Sequence, residues 1–253
     1  MGVFVEKNRR AARITLDRPP LNVLDLSLLK ELDPILDGLG ADATTDFVVI
    51  QGGGERAFSA GVDVKDHTRE RVPEMLRAAH GVMGKLLALP QVTIAVVRGA
   101  CLGGGLELAS CCDLILASTD SVFATPEIDV GCYPPVALVS FPSLLGYHRA
   151  AELILTGQRI SAEHAAAMGL INRAVPRQKL DETLEALLAG LRGKSAAVAR
   201  IALKGLREVR LRTFAADLAR AEEIYLGELL RTADVEEGVQ AFLDKRKPDW
   251  KHR

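Results

Sequence analysis

Thr93-Ile-Ala-Val-Val97, followed by Arg98-Gly-Ala-Cys-Leu-Gly-Gly-Gly105 and then Leu106-Glu107 at the head of a helical pattern, is the stretch that decides the fold. The first five residues read as a strand with both faces buried. The glycines let the chain turn tightly and come close to a ligand. The helix after them begins with unpaired N–H groups and the positive end of its dipole. Strand, glycine turn and helix in that order make one unit of an α/β fold.

The same order recurs on either side without sequence identity. Arg13-Ile-Thr-Leu16 alternates in the strand period and stops at Arg18-Pro19-Pro20. Residues 25–40 then carry apolar residues at helical spacing and close near Gly38 and Gly40. Phe47-Val-Val-Ile-Gln51 is a buried strand ended by Gly52-Gly53-Gly54. A helix over 74–89 leads to the segment above, and a strand over Asp113-Leu-Ile-Leu-Ala117 follows it. This repetition predicts a mostly parallel sheet covered on both faces. From about 149 onward the pattern is almost wholly helical, over 149–156, 161–169, 180–192, 195–209, 212–230 and 234–245, with Ser161 and Asp234 as N-caps. Gly193-Lys-Ser195 divides a core over 1–193, which carries the site, from a helical region over 194–253. That region has little core of its own and is expected to pack on a neighbouring copy.

Composition narrows the partners. The chain has 253 residues, 48% hydrophobic and 26% charged, which is ordinary for a globular protein. Its 32 basic and 33 acidic residues give a net charge of −1 and form no polybasic tract, so the sequence offers no footprint for nucleic acid or an anionic membrane. A small polyanionic ligand needs only a few local positive charges. Cys101, Cys111, Cys112 and Cys132 match neither a zinc site nor a redox pair and read as buried free thiols. The N-terminus shows no apolar signal region and no run reaches membrane-spanning length, so the cytoplasm is the expected compartment.

The chemistry lies in two carboxylates and two glycine loops. Glu107 follows the triple glycine, and Glu127 follows Pro126 in Ala124-Thr-Pro-Glu-Ile-Asp-Val-Gly131. A second glycine-containing loop is Ala57-Phe-Ser-Ala-Gly-Val-Asp-Val-Lys65. Amides from the two loops can bind a developing oxyanion. Two carboxylates facing one pocket can share protons, one as general base and the other as general acid. Taken singly, the triple glycine also reads as a packing turn, and each glutamate as an acid at a helix start. His67, His80, His148 and His164 lack ligand spacing and read as surface or core residues. No metal motif, Ser-His-Asp order, phosphate loop or dinucleotide fingerprint is present, so no metal and no separate cofactor is expected.

Taken together and in order, these stretches resemble the enoyl-CoA hydratase/isomerase (crotonase) superfamily. Leu16-Asp-Arg-Pro-Pro-Leu-Asn22 resembles its opening turn, Ala57–Lys65 its first oxyanion and CoA loop, and Val97–Glu107 its second. Arg149–Gly157 through Gly169-Leu-Ile-Asn172 resembles its helical linker, and Glu237–Arg246 its C-terminal helix. The resemblance implies a spiral of ββα units, a helical C-terminal trimerisation region, a homotrimer or dimer of trimers, and an acyl-CoA thioester substrate whose CoA is not a separate cofactor. It implies that the amides of Val62 and Gly104 hold the thioester oxygen. Ala60, Val62, Asp63, Val64, Lys65 and Gly104 would line the CoA stretch, with Lys65, Arg18 and a neighbour's Lys245 near its phosphates.

Acids at both glutamate positions resemble the hydratases, so the expected reaction is water addition to a double bond conjugated to the thioester. One departure bears on the substrate. Gly131-Cys-Tyr-Pro-Pro-Val-Ala-Leu-Val139 replaces the glycine-rich stretch usual after the second glutamate. With Arg18-Pro-Pro-Leu-Asn-Val-Leu-Asp25, it resembles the cyclohexa-1,5-diene-1-carbonyl-CoA hydratases. Phe58, Tyr133, Pro134 and Val136 would then shape a ring pocket, with His67 nearby. A general short-chain enoyl-CoA hydratase, a double-bond isomerase and a non-catalytic CoA-binding protein are the alternatives.

Overall fold

The structure, a computed structural model, describes residues 1–253 and repeats one plan four times, two strands followed by a helix. β1 (Gly2–Asn8) and β2 (Ala11–Asp17) lead into α1 (Leu26–Gly40). β3 (Phe47–Gly52) and β4 (Ala57–Ser59) lead into α2 (Val72–Ala88). β5 (Val92–Val97) and β6 (Ala100–Leu102) lead into α3 (Gly104–Ser110). β7 (Leu114–Ser118) and β8 (Val122–Ala124) lead into α4 (Pro135–Leu145). After them come α5 (Tyr147–Thr156), β9 (Ile160–Ser161), α6 (Ala162–Ala167), β10 (Arg173–Val175) and α7 (Leu180–Arg192). The chain ends in α8 (Ala196–Arg210), α9 (Phe214–Gly227) and α10 (Ala233–Leu243).

The two strands of each unit go to different sheets. The six-stranded sheet runs β1-β2-β3-β5-β7-β10 and is parallel except at β1. In the second sheet β4, β6 and β8 are parallel neighbours, and β9 closes it antiparallel. This arrangement builds the site. The C-terminal ends of β4, β6 and β8 lie side by side, with the roughly 4.8 Å spacing of paired strands. From those ends leave the loop at 60–62, the turn at Gly103 and Gly104, and the segment that carries Glu127.

Alternation along the parallel strands explains the double covering. Val48, Ile50, Ala95, Val97, Ile115 and Ala117 face the main core with α1 and α2. Their neighbours Val49, Ile94, Val96 and Leu116 face the other way, onto Leu180, Leu184 and Leu188 of α7. Each buried leucine of this kind is worth about 2–5 kcal/mol against truncation to alanine.

The elements expected from spacing are present, within a few residues at their ends. The differences have physical causes. β1 is an exposed edge strand with polar residues on both faces, so it lacks apolar alternation. α4 begins at Pro135 and contains Pro142, two residues that read as breaks. The chain past 149 is interrupted by the short strands β9 and β10. Ser161 caps α6 by accepting from His164 N at 3.2 Å, as expected. Asp234 does not cap α10, which starts one residue earlier after Thr232; its carboxylate accepts from His252 N at 2.8 Å instead. All four cysteines are buried and free. No helix is long and apolar enough to cross a membrane.

Candidate active site

Backbone pins set the site before any catalytic side chain does. Asn22 is fully buried and bridges three segments. Its Oδ1 accepts from Arg18 N at 3.0 Å, and its Nδ2 donates to Gly53 O at 2.9 Å and Ala57 O at 2.7 Å. Leu24 N donates to Gly61 O at 2.9 Å, so the N–H of the same peptide, that of Val62, points away from Leu24. Gly61 has φ of +97°, and a Cβ there would come within 2.9 Å of Leu102 O and 3.2 Å of Gly104 N. A Cβ on Gly104 would in turn lie 3.4 Å from Val62 N. The two amides expected to form an oxyanion hole are therefore brought together, Gly104 as the first residue of α3. Gly103 N ties the turn to β8 by donating to Ala124 O at 2.9 Å.

The glutamates arrive by different routes. All seven residues of α3 are buried, Glu107 among them. Its Oε1 accepts from Ala137 N at 2.9 Å, in the first turn of α4, where Pro135 pre-sets the helix and the dipole favours a negative charge. Burial pushes the Glu107 carboxyl up, opposed by the positive charge available on His80 and by the amides of Ala137 and Val136. Glu127 sits on a short turn over Pro126–Val130 that α10 packs against. A Cβ on Gly103, whose φ is +52°, would lie 2.6 Å from Glu127 Oε1. Its Oε2 is buried and has no hydrogen-bond partner. Burial and the Glu107 charge push the Glu127 carboxyl well above the usual range. The two acids titrate as a coupled pair, and the surroundings of Glu127 favour its neutral form.

Both carboxyls open on a cavity of about 400 Å³. Ala60, Val62, Val64 and Gly104 line it as expected, and so do Tyr133, Pro134 and His67. Asp63 and Lys65 do not. The Asp63 carboxylate caps the turn at 64–67 by accepting from Lys65 N at 3.0 Å, and the Lys65 side chain is exposed beside it. Arg18 pairs with Asp25. Phe58 and Val136 correct the pocket reading: both are fully buried in the main core and form no part of the cavity wall. Their positions next to cavity residues suggested pocket, but the alternation of β4 and the first turn of α4 points them inward.

Other wall residues come from helices outside the two glycine loops. Met75, Leu76 and His80 come from α2, and Tyr225 from α9. Tyr133 donates to Ala221 O at 2.6 Å and meets Tyr225 edge to face, with ring centroids 5.0 Å apart. Tyr225 Oη has no partner. His80 was read as a surface or core histidine. It is 8% exposed, its Nδ1 is bonded to the Glu222 carboxylate, and it lies on the cavity wall. Helical spacing of His80 with Leu76 and Met83 was the only available hint that it faces inward.

The sequence profile of the enoyl-CoA hydratase/isomerase family matches residues 6–253. The chain belongs to that family. A probable enoyl-CoA hydratase of Bacillus subtilis is 35% identical over 246 residues, 95% of each chain. The cyclohexa-1,5-dienecarbonyl-CoA hydratase of Thauera aromatica is 30% identical over 260 residues, covering 100% of this chain and 97% of that protein. Among solved structures, an enoyl-CoA hydratase from Mycobacterium avium subsp. paratuberculosis superposes with a TM-score of 0.89 over 99% of both chains at 24% identity. The ββα spiral with its helical C-terminal region is thus the crotonase fold.

Proposed function

We propose that the protein is a hydro-lyase that adds water to the double bond of an enoyl- or dienoyl-CoA thioester conjugated with its carbonyl. One observation carries this reading: two carboxyls in unequal surroundings, Glu107 on a buried helix and Glu127 with one oxygen buried and unpartnered, open on one cavity beside the paired amides of Val62 and Gly104. In the reaction the Glu107 carboxylate takes a proton from water, and the water oxygen bonds to the β-carbon. The displaced π electrons move to the thioester oxygen, where the two amides hold the enolate. The proton on Glu127 then goes to the α-carbon as the carbonyl re-forms. An internal proton shift from Glu107 to Glu127 restores the pair.

The acyl group we assign is the cyclic dienoyl one, cyclohexa-1,5-diene-1-carbonyl. Its support is the Cys132-Tyr-Pro-Pro135 stretch, which places Tyr133 against Tyr225 as a flat, anchored wall, and the full-length similarity to the Thauera aromatica hydratase. Ala60, Val62 and Val64 would lie along CoA. Val198, Ile201, Leu206 and Val209 of α8 are 65–73% exposed, and an apolar stripe of that size supports assembly with further copies, a homotrimer or dimer of trimers. The expected compartment is the cytoplasm.

Turnover of crotonyl-CoA and of the cyclic dienoyl-CoA in heavy-oxygen water, read by mass spectrometry, tests both levels. Label gained on the cyclic diene and little on crotonyl-CoA is the expected result. Faster labelling of crotonyl-CoA would return the protein to the general hydratases. Rearranged product without label would make it an isomerase.

A further inference from the structure

Six of the cavity-wall side chains around the glutamates are apolar or aromatic: Met75, Leu76, Ala79, Tyr133, Pro134 and Pro135. His80 interrupts them. Its Nδ1 is held by Glu222 of α9, 142 residues away in sequence, so two separate helices cooperate to fix one imidazole. A carboxylate at Nδ1 accepts the proton there and leaves Nε2 as the free nitrogen of the ring. Nε2 forms no hydrogen bond within the protein, and the His80 side chain lies on the cavity wall. Neither role assigned to the glutamates uses it.

A hydrocarbon acyl group filling this cavity would leave Nε2 without a hydrogen bond, which weakens its binding. A site with such a group discriminates against ligands that cannot satisfy it. A hydroxyl can satisfy it in either state of the ring, because it donates to bare Nε2 and accepts from protonated Nε2. A carboxylate is a poorer match, since Glu222 is bonded to the ring and Glu107 lies within its electrostatic reach. We infer that the Glu222-anchored His80 is a specificity residue that binds a hydroxyl carried on the acyl group beyond the two reacting carbons. The substrate class is then a ring dienoyl-CoA that carries a further hydroxyl, of which the unsubstituted diene proposed above is the parent and the weaker-binding analogue. The inference rests on the thioester reading of the cavity.

Binding of saturated CoA esters tests it without turnover. The probes are cyclohexanecarbonyl-CoA and its 3-hydroxy and 4-hydroxy derivatives, titrated calorimetrically into the full chain. Expected is about tenfold tighter binding of one hydroxylated ester than of the unsubstituted one. His80→Leu should abolish that preference. Glu222→Ala, which removes the Nδ1 partner and leaves the imidazole in place, should reduce it at least about threefold. No gain from either hydroxyl in the native protein, or a gain that survives both substitutions, overturns the inference. Should His80→Leu lose its cooperative melting transition, Glu222→Ala decides alone, and an unchanged preference in it is fatal. Failure of the unsubstituted ester to bind at all would refute the thioester reading itself, a different result from loss of the hydroxyl preference.

Discussion

Glu107 and Glu127 face the same cavity, yet the protein treats the two positions oppositely. Glu107 stands on a fully buried helix, and its carboxylate receives an amide from the start of α4. Glu127 stands on a short turn with one oxygen unpartnered. A buried carboxylate with a donor and a helix N-terminus is tolerable as an anion, whereas one without a donor is tolerable only when protonated. The same residue type is thus favoured as an anion in one place and as a neutral carboxyl in the other. What separates them is the next layer of structure.

Substitutions can break this contrast. The largest effect is expected from Glu107→Gln or Glu127→Gln, each lowering kcat by about 10³-fold. KM for the thioester should change little, because neither carboxyl is assigned to CoA. Steady-state kinetics that show lost binding with intact kcat would refute both roles. Gly103→Ala should act on the Glu127 half alone. Its new Cβ would stand 2.6 Å from Glu127 Oε1 in a backbone region that costs a non-glycine residue about 1–3 kcal/mol. We expect a smaller fall in kcat, about tenfold or more, with a lower Tm.

A finer test uses pH and stability. Burial raises the Glu127 carboxyl above its unfolded value, so the folded state binds that proton more tightly. The associated stability is complete below the unfolded carboxylate pKa and is lost as pH rises through the folded one. Glu127→Gln removes this loss, so its Tm relative to the native protein should climb from acid to alkaline pH. A difference that falls with pH would place the proton elsewhere. The smallest effect concerns His80, whose positive charge counters the upward push of burial on Glu107. In His80→Leu the acid limb of the kcat/KM profile should move to higher pH. An unmoved limb would show that Glu107 does not sense the imidazole.

Much of the site was legible because its parts are local. A glycine that permits a positive φ, an amide at a helix start and a carboxylate one turn further on are fixed by neighbours in the chain. Gly103, Gly104 and Glu107 are parts of this kind. Tyr133 and Pro134 were legible as a departure from the family pattern, and both reach the cavity wall. Phe58 and Val136 were misread because sequence proximity to a pocket does not say which way a side chain points. Asp63 and Lys65 follow a cavity-lining residue but serve the turn itself.

By itself the sequence determined the repeating strand-turn-helix plan, the two glycine loops and the two acids. These depend on spacing and backbone chemistry, which act over a few residues. Only the tertiary structure decided that β4, β6 and β8 lie side by side, so that Val62, Gly104 and Glu127 converge. It alone decided that Ala137 serves Glu107, that Glu222 reaches His80 from another helix, and that Tyr225 backs Tyr133. Those pairings join residues 30, 142 and 92 positions apart. Contacts at such separations are set by how whole elements pack, and no local pattern in the chain encodes them.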